Sequence, residues 1–239
     1  MNDALHKFPR LYVDAPLNGS ALPLAENHAH YLKNVLRMAD GDIVRLFNGQ
    51  DGEWIAKLDV VGKRDVVAHL AEQVKKQAVR TRRVHLLFAP IKKDRLDTLI
   101  EAAVQLDATD LHPILTDRTE VREVKEEKLK AQIIEAAEQS ERLDLPTLHP
   151  LMAMDKALAA IGVPVFAGLE RSDAKILNDA LVPEGDCAAL VGPVGGWTER
   201  ERDAFNETPG VIAVSLGSNV LRCEIAVAAM LSSLRPSGR

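Results

Sequence analysis

Three glycine-bearing segments lie in the last third of this chain: Gly168–Asp173 (GLERSD), Val191–Trp197 (VGPVGGW) and Ser215–Asn219 (SLGSN). Glycine lets a backbone approach a ligand closely and adopt positive φ, so such loops suit a small molecule held by main-chain groups. The second segment runs into Thr198-x-x-Glu201, a capping box that opens a helix. The free N–H groups of that first turn can receive an anion or a carboxylate. Taken alone, GPVGG is equally well a tight strand-to-helix turn; three such loops in succession favour a ligand. Arg222 and Glu224 follow at the start of the last helix. By themselves they read as an ordinary surface cation and an acid well placed at a helix N-terminus. One further run, Lys75–Arg83 (KKQAVRTRR), holds five cations and no acid. It can meet phosphates or serve as a solvated linker.

The elements that must position these loops fall into two patterns. Up to about residue 74 the chain is β-rich: RLYV, DIVRLFN, EWIAKLDVV and DVVAHLAE are short runs separated by Asn-Gly and Asp-Gly turns. One helix is expected among them over Glu26–Met38, with Ala29, Leu32, Val35 and Leu36 on one face. A small barrel would close these strands. After Arg83 strands and helices alternate. VHLLFAP, LHPILT, VPVFAGLE, CAALVG and VIAVSLG read as strands. The first helix has Asp94 as N-cap and Leu96, Leu99, Ile100 and Ala103 on one face; the second has Leu129, Ile133, Ala136, Ala137 and Ser140. A helix capped by Ser172 is expected in SDAKILNDAL. The alternation predicts an α/β fold with a mostly parallel sheet. The first of these strands carries no glycine motif, which argues against a conventional dinucleotide site. The last helix, about Arg222–Leu234, is nearly all apolar and calls for burial on every side, with a subunit interface as one partner.

The 239 residues, 46% apolar, suffice for a real core. No apolar run is long enough to span a membrane, and MNDALHKFPR lacks a signal core. Two cysteines are too few to suggest a disulfide framework or a four-ligand zinc site. These features predict a cytoplasmic protein. The net charge of −5 does not advertise a nucleic-acid partner, but residues 1–83 carry 13 Lys/Arg against 10 Asp/Glu and the remainder 17 against 25.

Five motifs then carry a resemblance. HYLKNVLRMADGD (His30–Asp42), KKDRLD (Lys92–Asp97), EAAEQSERLDLP (Glu135–Pro146), GPVGG (Gly192–Gly196) and LGSNVLRCEIA (Leu216–Ala226) occur in this order. The chain resembles the ribosomal RNA small-subunit methyltransferase E family of the SPOUT superfamily, nearly end to end. The resemblance implies a PUA-like β-barrel RNA-binding domain over 1–74, a basic linker over 75–83 and a SPOUT methyltransferase domain with a trefoil knot over 84–239. It implies S-adenosylmethionine as cofactor, bound by Leu169 and Glu170, by Val191, Gly192, Pro193, Gly195 and Gly196, and by Leu216, Gly217, Asn219, Val220 and Leu221. RNA contacts are implied at Arg10, Arg37, Arg82 and Arg83, at Lys92, Lys93 and Arg95, and at Arg118 and Arg142. The implied partners are 16S rRNA, in the small ribosomal subunit, and a second copy of the chain through the knot region. No metal is required.

The implied reaction is methylation of N3 of one uridine. That N–H lies on a Watson–Crick edge, so the base must be flipped out and lose its proton. Positioning and stabilisation of the deprotonated ring would supply most of the rate. Arg222 is the candidate for that charge, and Glu224 for orienting Arg222 or relaying the proton. The chain departs from the family at Val194 (usually Glu), Asn219 (Arg), Cys223 and Ile225 (both Thr), and at Ala102, Gln105 and Asp107 in the first helix of the second domain. Three readings remain: this methyltransferase, with the same or another RNA target; an RNA-binding relative with weak or no methyl transfer; and an α/β protein holding a phosphate ligand at Gly192–Gly196.

Overall fold

The structure, a computed structural model, describes residues 5–61, 65–177, 180 and 184–235. The chain divides into two compact units. One comprises Met1–Val79 with Ala137–Asp144, the other Arg80–Ala136 with Leu145–Arg239.

The first unit is a five-stranded sheet of β1 (Arg10–Tyr12), β2 (Ala21–Pro23), β3 (Ile43–Phe47), β4 (Glu53–Val61) and β5 (Asp65–Lys75), in the order β1-β3-β4-β5-β2. Only β1–β3 is parallel. Alternation places Val44, Leu46, Ala56, Leu58, Val66 and Ala68 on the inner face, where Leu11, Ala29 and Leu32 join them. Each fully buried Leu or Val stabilises the unit by about 1.5–3 kcal/mol. The helix expected over Glu26–Met38 is shorter. It is α-helical over Glu26–His30 (α1) and widens into a π turn over Tyr31–Val35, where Leu36 N–H donates to Tyr31 O at 3.0 Å. The wider turn keeps Ala29 and Leu32 buried and leaves Val35 and Leu36 exposed. The segment ends at Arg37, exposed and at φ 57°.

Arg10 corrects a sequence expectation. Its guanidinium is buried 3.6 Å over the Phe47 ring. Nε meets Glu53 at 2.6 Å, and the other two nitrogens donate to Ala137 O at 2.7 Å and Arg142 O at 2.8 Å. Arg142 is buried as well, beside Asp144 at 3.3 Å. Buried charges that are fully paired hold structure together and are not available to phosphates.

The second unit is built on a parallel sheet of β6 (Val84–Phe88), β7 (Asp110–Leu115), β8 (Thr147–Leu148), β10 (Val165–Gly168), β11 (Cys187–Val191) and β12 (Val211–Val214), in the order β12-β10-β11-β6-β7-β8. A short β9 (Met152–Ala153) also pairs with β7. Its helices are α2 (Lys93–Gln105), α3 (Glu126–Gln139), α4 (Met154–Ala160), α5 (Glu199–Glu207) and α6 (Cys223–Leu234). The sequence reading did not anticipate β2, β8, β9 or α4. Every residue of β11 is buried, as expected for a strand covered on both faces. α2 buries Leu99, Ile100, Ala103 and Val104 and packs against α6. α3 buries Leu129, Ile133, Ala136 and Ala137, with Ser140 just beyond its end.

Two boundaries differ from expectation. α2 starts at Lys93 with Lys92 as N-cap, so Asp94 sits in the first turn. Ser172 caps no helix: its hydroxyl bonds Leu169 O and Ala174 N–H, and Ile176 instead bridges to Ser215. The rest of that expected helix falls partly outside the described residues. Within the chain α6 buries Val227, Met230, Leu231 and Leu234 and leaves Ile225 51% exposed.

Candidate functional site

At the carboxyl ends of β10, β11 and β12 the three glycine loops meet the first turns of α6. They enclose a pocket with about 520 Å³ of empty space. This is the place where open parallel sheets hold ligands. Leu169, Glu170, Val191, Gly192, Pro193, Gly196, Leu216, Gly217, Asn219 and Leu221 all line it. Two residues expected there do not. Gly195 lies against the Arg118 side chain, whose guanidinium donates to Gly195 O at 3.0 Å. Val220 is exposed.

Sequence reasoning missed Gly168, Trp197, Cys223, Ala226 and Met230 as lining residues. Trp197 is the most consequential. Its indole N–H donates to Gly168 O at 2.8 Å, and its ring meets Phe205 edge-on at 4.9 Å. A Cβ at Gly192 would lie 2.7 Å from that ring, so only glycine fits. The signal was present in GPVGGW, an aromatic residue directly after the glycine pair. Gly196 has φ +69°, and a Cβ there would lie 2.5 Å from the Glu170 carboxylate. That carboxylate is held by Arg202 at 2.7 Å. The loop then enters α5 through the expected capping box of Thr198 and Glu201. Cys223 Sγ donates to Gly192 O at 3.3 Å, and burial pushes its thiol pKa up. Of the four departures in the C-terminal motifs, Asn219 and Cys223 line the pocket; Val194 and Ile225 are exposed and do not.

Beside the pocket, Glu224 is buried and paired with Arg95 rather than with Arg222. Arg95 Nε lies 3.1 Å from both carboxylate oxygens, and a terminal nitrogen reaches one of them at 2.7 Å. Bonding from Arg95 holds the Glu224 carboxyl below its usual range. The bidentate geometry fixes both side chains, so Arg95 is engaged inside the unit. Arg222 is the exposed N-cap of α6. The other cations are scattered. Lys92 pairs with Glu120 at 3.3 Å and Lys93 is exposed. Arg82 donates to Gly185 O at 2.7 Å and reaches Cys187 Sγ at 3.1 Å. Arg83 is bonded to Asp110.

A second polar cluster, unforeseen in the sequence, lies at the amino ends of β6 and β7. His85 Nδ1 is 3.0 Å from His112 Nε2, and His112 stacks on His149 with ring centroids 3.9 Å apart. Asp110, fully buried, accepts from Arg83, His149 and Thr109. These bonds outweigh its burial and hold its pKa at about 2. With its oxygens so occupied, Asp110 acts as the hub of a hydrogen-bonded network. Burial, then the charges of His149 and His85, push His112 down to about 4. An unfolded histidine titrates near 6.5. Between about pH 6.5 and 4 the unfolded chain therefore takes up a proton that the folded chain refuses. Stability is full above that window and is lost as pH falls through it, by on the order of 3 kcal/mol. Thermal melts should show the midpoint falling steadily from pH 7 to 4, and His112→Phe should flatten that fall. A pH-independent midpoint in the unaltered protein would refute this account.

Residues 79–235 match the family model of the RNA methyltransferase domain, and residues 24–70 that of the RNA methyltransferase PUA domain. The chain is 35% identical over 237 residues to a ribosomal RNA small subunit methyltransferase E of Rickettsia conorii, covering 97% of each chain. Among solved structures it is similar to a protein of the same name from Neisseria gonorrhoeae bound to S-adenosylmethionine, with TM-score 0.85, 29% identity, and 95% and 96% of the two chains covered. It is also similar to a Legionella pneumophila methyltransferase structure in complex with that cofactor, with TM-score 0.86, 27% identity and the same coverage.

Proposed function

The chain belongs to the RNA methyltransferase family, as a relative of the ribosomal RNA small subunit methyltransferase E proteins, and on that premise we propose that it methylates N3 of a uridine in 16S rRNA with S-adenosylmethionine. The observation that carries the reading is the convergence of three glycine loops and the start of α6 on one pocket at the sheet's carboxyl edge.

The residues present fit the cofactor. Leu169, Leu216, Leu221 and Trp197 offer apolar walls for an adenine and a methionine side chain, and the glycines bring main-chain groups to the ligand's edges. Glu170 places a carboxylate in the pocket for a cationic or hydroxyl-bearing part of the ligand. The bound cofactor supplies a methyl group made electrophilic by its sulfonium. The chain's own residues then hold the target base, exclude water and stabilise the ring once N3 has lost its proton. Arg222, exposed beside the pocket, supplies the positive charge for that anion. Glu224 acts as a positioning residue: paired with Arg95, it ties the first turn of α6 to α2. Its lowered pKa makes it a weak proton acceptor.

Dimerisation, the knot, RNA contacts at the remaining exposed cations and a cytoplasmic location belong to the same proposal. Ile225, on the open side of α6, with exposed Val194 and Val220 supports an interface between two copies. The passage of 215–222 beside the 168–177 loop, held by Leu177 N–H to Ser215 O at 3.0 Å and Ser215 N–H to Lys175 O at 2.9 Å, supports the knot. Among the described residues no helix is long and apolar enough to cross a membrane.

Mass spectrometry of 16S rRNA nucleosides from cells with and without the gene tests the reading. Loss of 3-methyluridine at one site is expected. Unchanged 3-methyluridine would overturn the target, and no binding of S-adenosylmethionine to the purified protein would overturn the reaction class.

A further inference from the structure

A slot separate from the glycine pocket opens in the second unit between the start of α2, the 121–125 segment and the first turns of α3. It has about 740 Å³ of empty space, part of it open to solvent. Ile91, Leu96, Val121, Val124 and Leu129 give it an apolar lining, while Lys92, Lys93, Lys125 and Lys128 form an exposed basic rim. Among the described residues Lys93, Lys125 and Lys128 make no ion pair, whereas Lys92 is shared with Glu120.

Two acids, Glu123 and Asp97, also line the slot. Asp97 accepts from the Gln132 amide nitrogen. A carboxylate only accepts, so this bond fixes which way the Gln132 amide points. It leaves Gln132 Oε1 buried with no hydrogen-bond partner. An unmet buried acceptor costs about 1–3 kcal/mol, which a ligand N–H would recover.

An apolar body, an N–H edge and flanking negative charge together describe a nucleotide of single-stranded RNA. We infer that this slot takes an unpaired base of the substrate RNA other than the one methylated, with the adjoining phosphates on Lys93, Lys125 and Lys128. This rests on the RNA substrate proposed above. The slot is placed for that role. Ile91–Lys93 follow β6, whose neighbour β11 runs into Gly192 at the glycine pocket. Lys93, Leu96 and Asp97 share one face of α2, while Arg95 on another face holds Glu224 beside the pocket. An RNA that turns one base out loses stacking on both sides of it. Burying a neighbouring base against apolar side chains restores part of that loss.

The test is RNA affinity of the full-length protein, measured with a 16S rRNA transcript and with a single-stranded RNA oligonucleotide over a salt series. Lys93→Gln, Lys125→Gln and Lys128→Gln combined should weaken binding more than tenfold and reduce the salt slope by about 2, from about 0.7 per lost phosphate contact. Val124→Asn, which adds polarity without charge, should weaken binding at an unchanged slope. Both should leave S-adenosylmethionine affinity and the melting midpoint unaltered. Unchanged RNA affinity in both variants, with the unaltered protein binding RNA normally, overturns the slot and leaves the methyltransferase reading standing. The expected losses in a protein that transfers no methyl would support the slot and sink that reading instead. Loss of self-association at unchanged RNA affinity would assign the slot to a second copy and overturn the inference.

Discussion

Gly192→Ala should weaken S-adenosylmethionine binding by about two orders of magnitude while the protein stays folded. The added methyl would lie 2.7–2.8 Å from the six-membered part of the Trp197 ring. That ring cannot simply turn aside, because its N–H is bonded to Gly168 O and its edge packs on Phe205. Overpacking at a confined site costs about 1–3 kcal/mol, and the upper end of that range is roughly a hundredfold in affinity. The loss would appear in the pocket because Gly168, Gly192 and Trp197 all line it. Calorimetric titration reads it directly. Adding Trp197→Leu to Gly192→Ala should recover part of the lost affinity, since the smaller side chain removes the clash. Undiminished binding in the single variant would show that Trp197 does not wall the cofactor site.

Arg222→Ala should leave cofactor affinity within a few-fold and lower the rate of methyl transfer by about 10²–10³, the usual effect of removing one charge-stabilising donor. The split follows from placement. Arg222 is exposed at the N-cap of α6 and does not line the pocket, so it is free to meet substrate rather than cofactor. Glu224 does not hold it, being committed to Arg95. Single-turnover kinetics with 16S rRNA, alongside cofactor titration, separates the two effects. Arg222→Lys should recover part of the rate, because the charge returns without the fork. Equal losses in rate and cofactor affinity would make Arg222 a cofactor ligand and refute its catalytic role.

Much of the scaffold was legible in the sequence for reasons that are local. The strands of the second unit are short apolar runs with turn residues between them, and α2 and α3 repeat apolar residues at helical spacing. The glycine loops stood out because glycines cluster where backbone must come close to something. What could not be read depends on distant neighbours. The Arg95–Glu224 pair joins residues 129 positions apart, and nothing in KKDRLD marks Arg95 as the partner of Glu224. The family resemblance implied an RNA contact at Arg10, and its burial could not be read from the sequence. Ser172 has the residue type of a helix cap, yet residues 172–175 form no helix and Ile176 bridges to Ser215. The histidine network likewise assembles from separate strands, so no spacing announces it.

The contacts of Arg10 also set an order of events during synthesis. The first unit includes Ala137–Asp144, and Arg10 bonds to Arg142 O across 132 positions of sequence. Until those residues leave the ribosome, a buried guanidinium lacks two of its acceptors and Arg45 lacks Glu141. Chains emerge at about 5–20 residues per second, so the N-terminal sheet waits several seconds, unfinished, while the Arg80–Ala136 part of the second unit is being made. Native contacts this far apart slow folding. The N-terminal unit, although made first, is completed only after the strands and helices of its neighbour have begun to emerge.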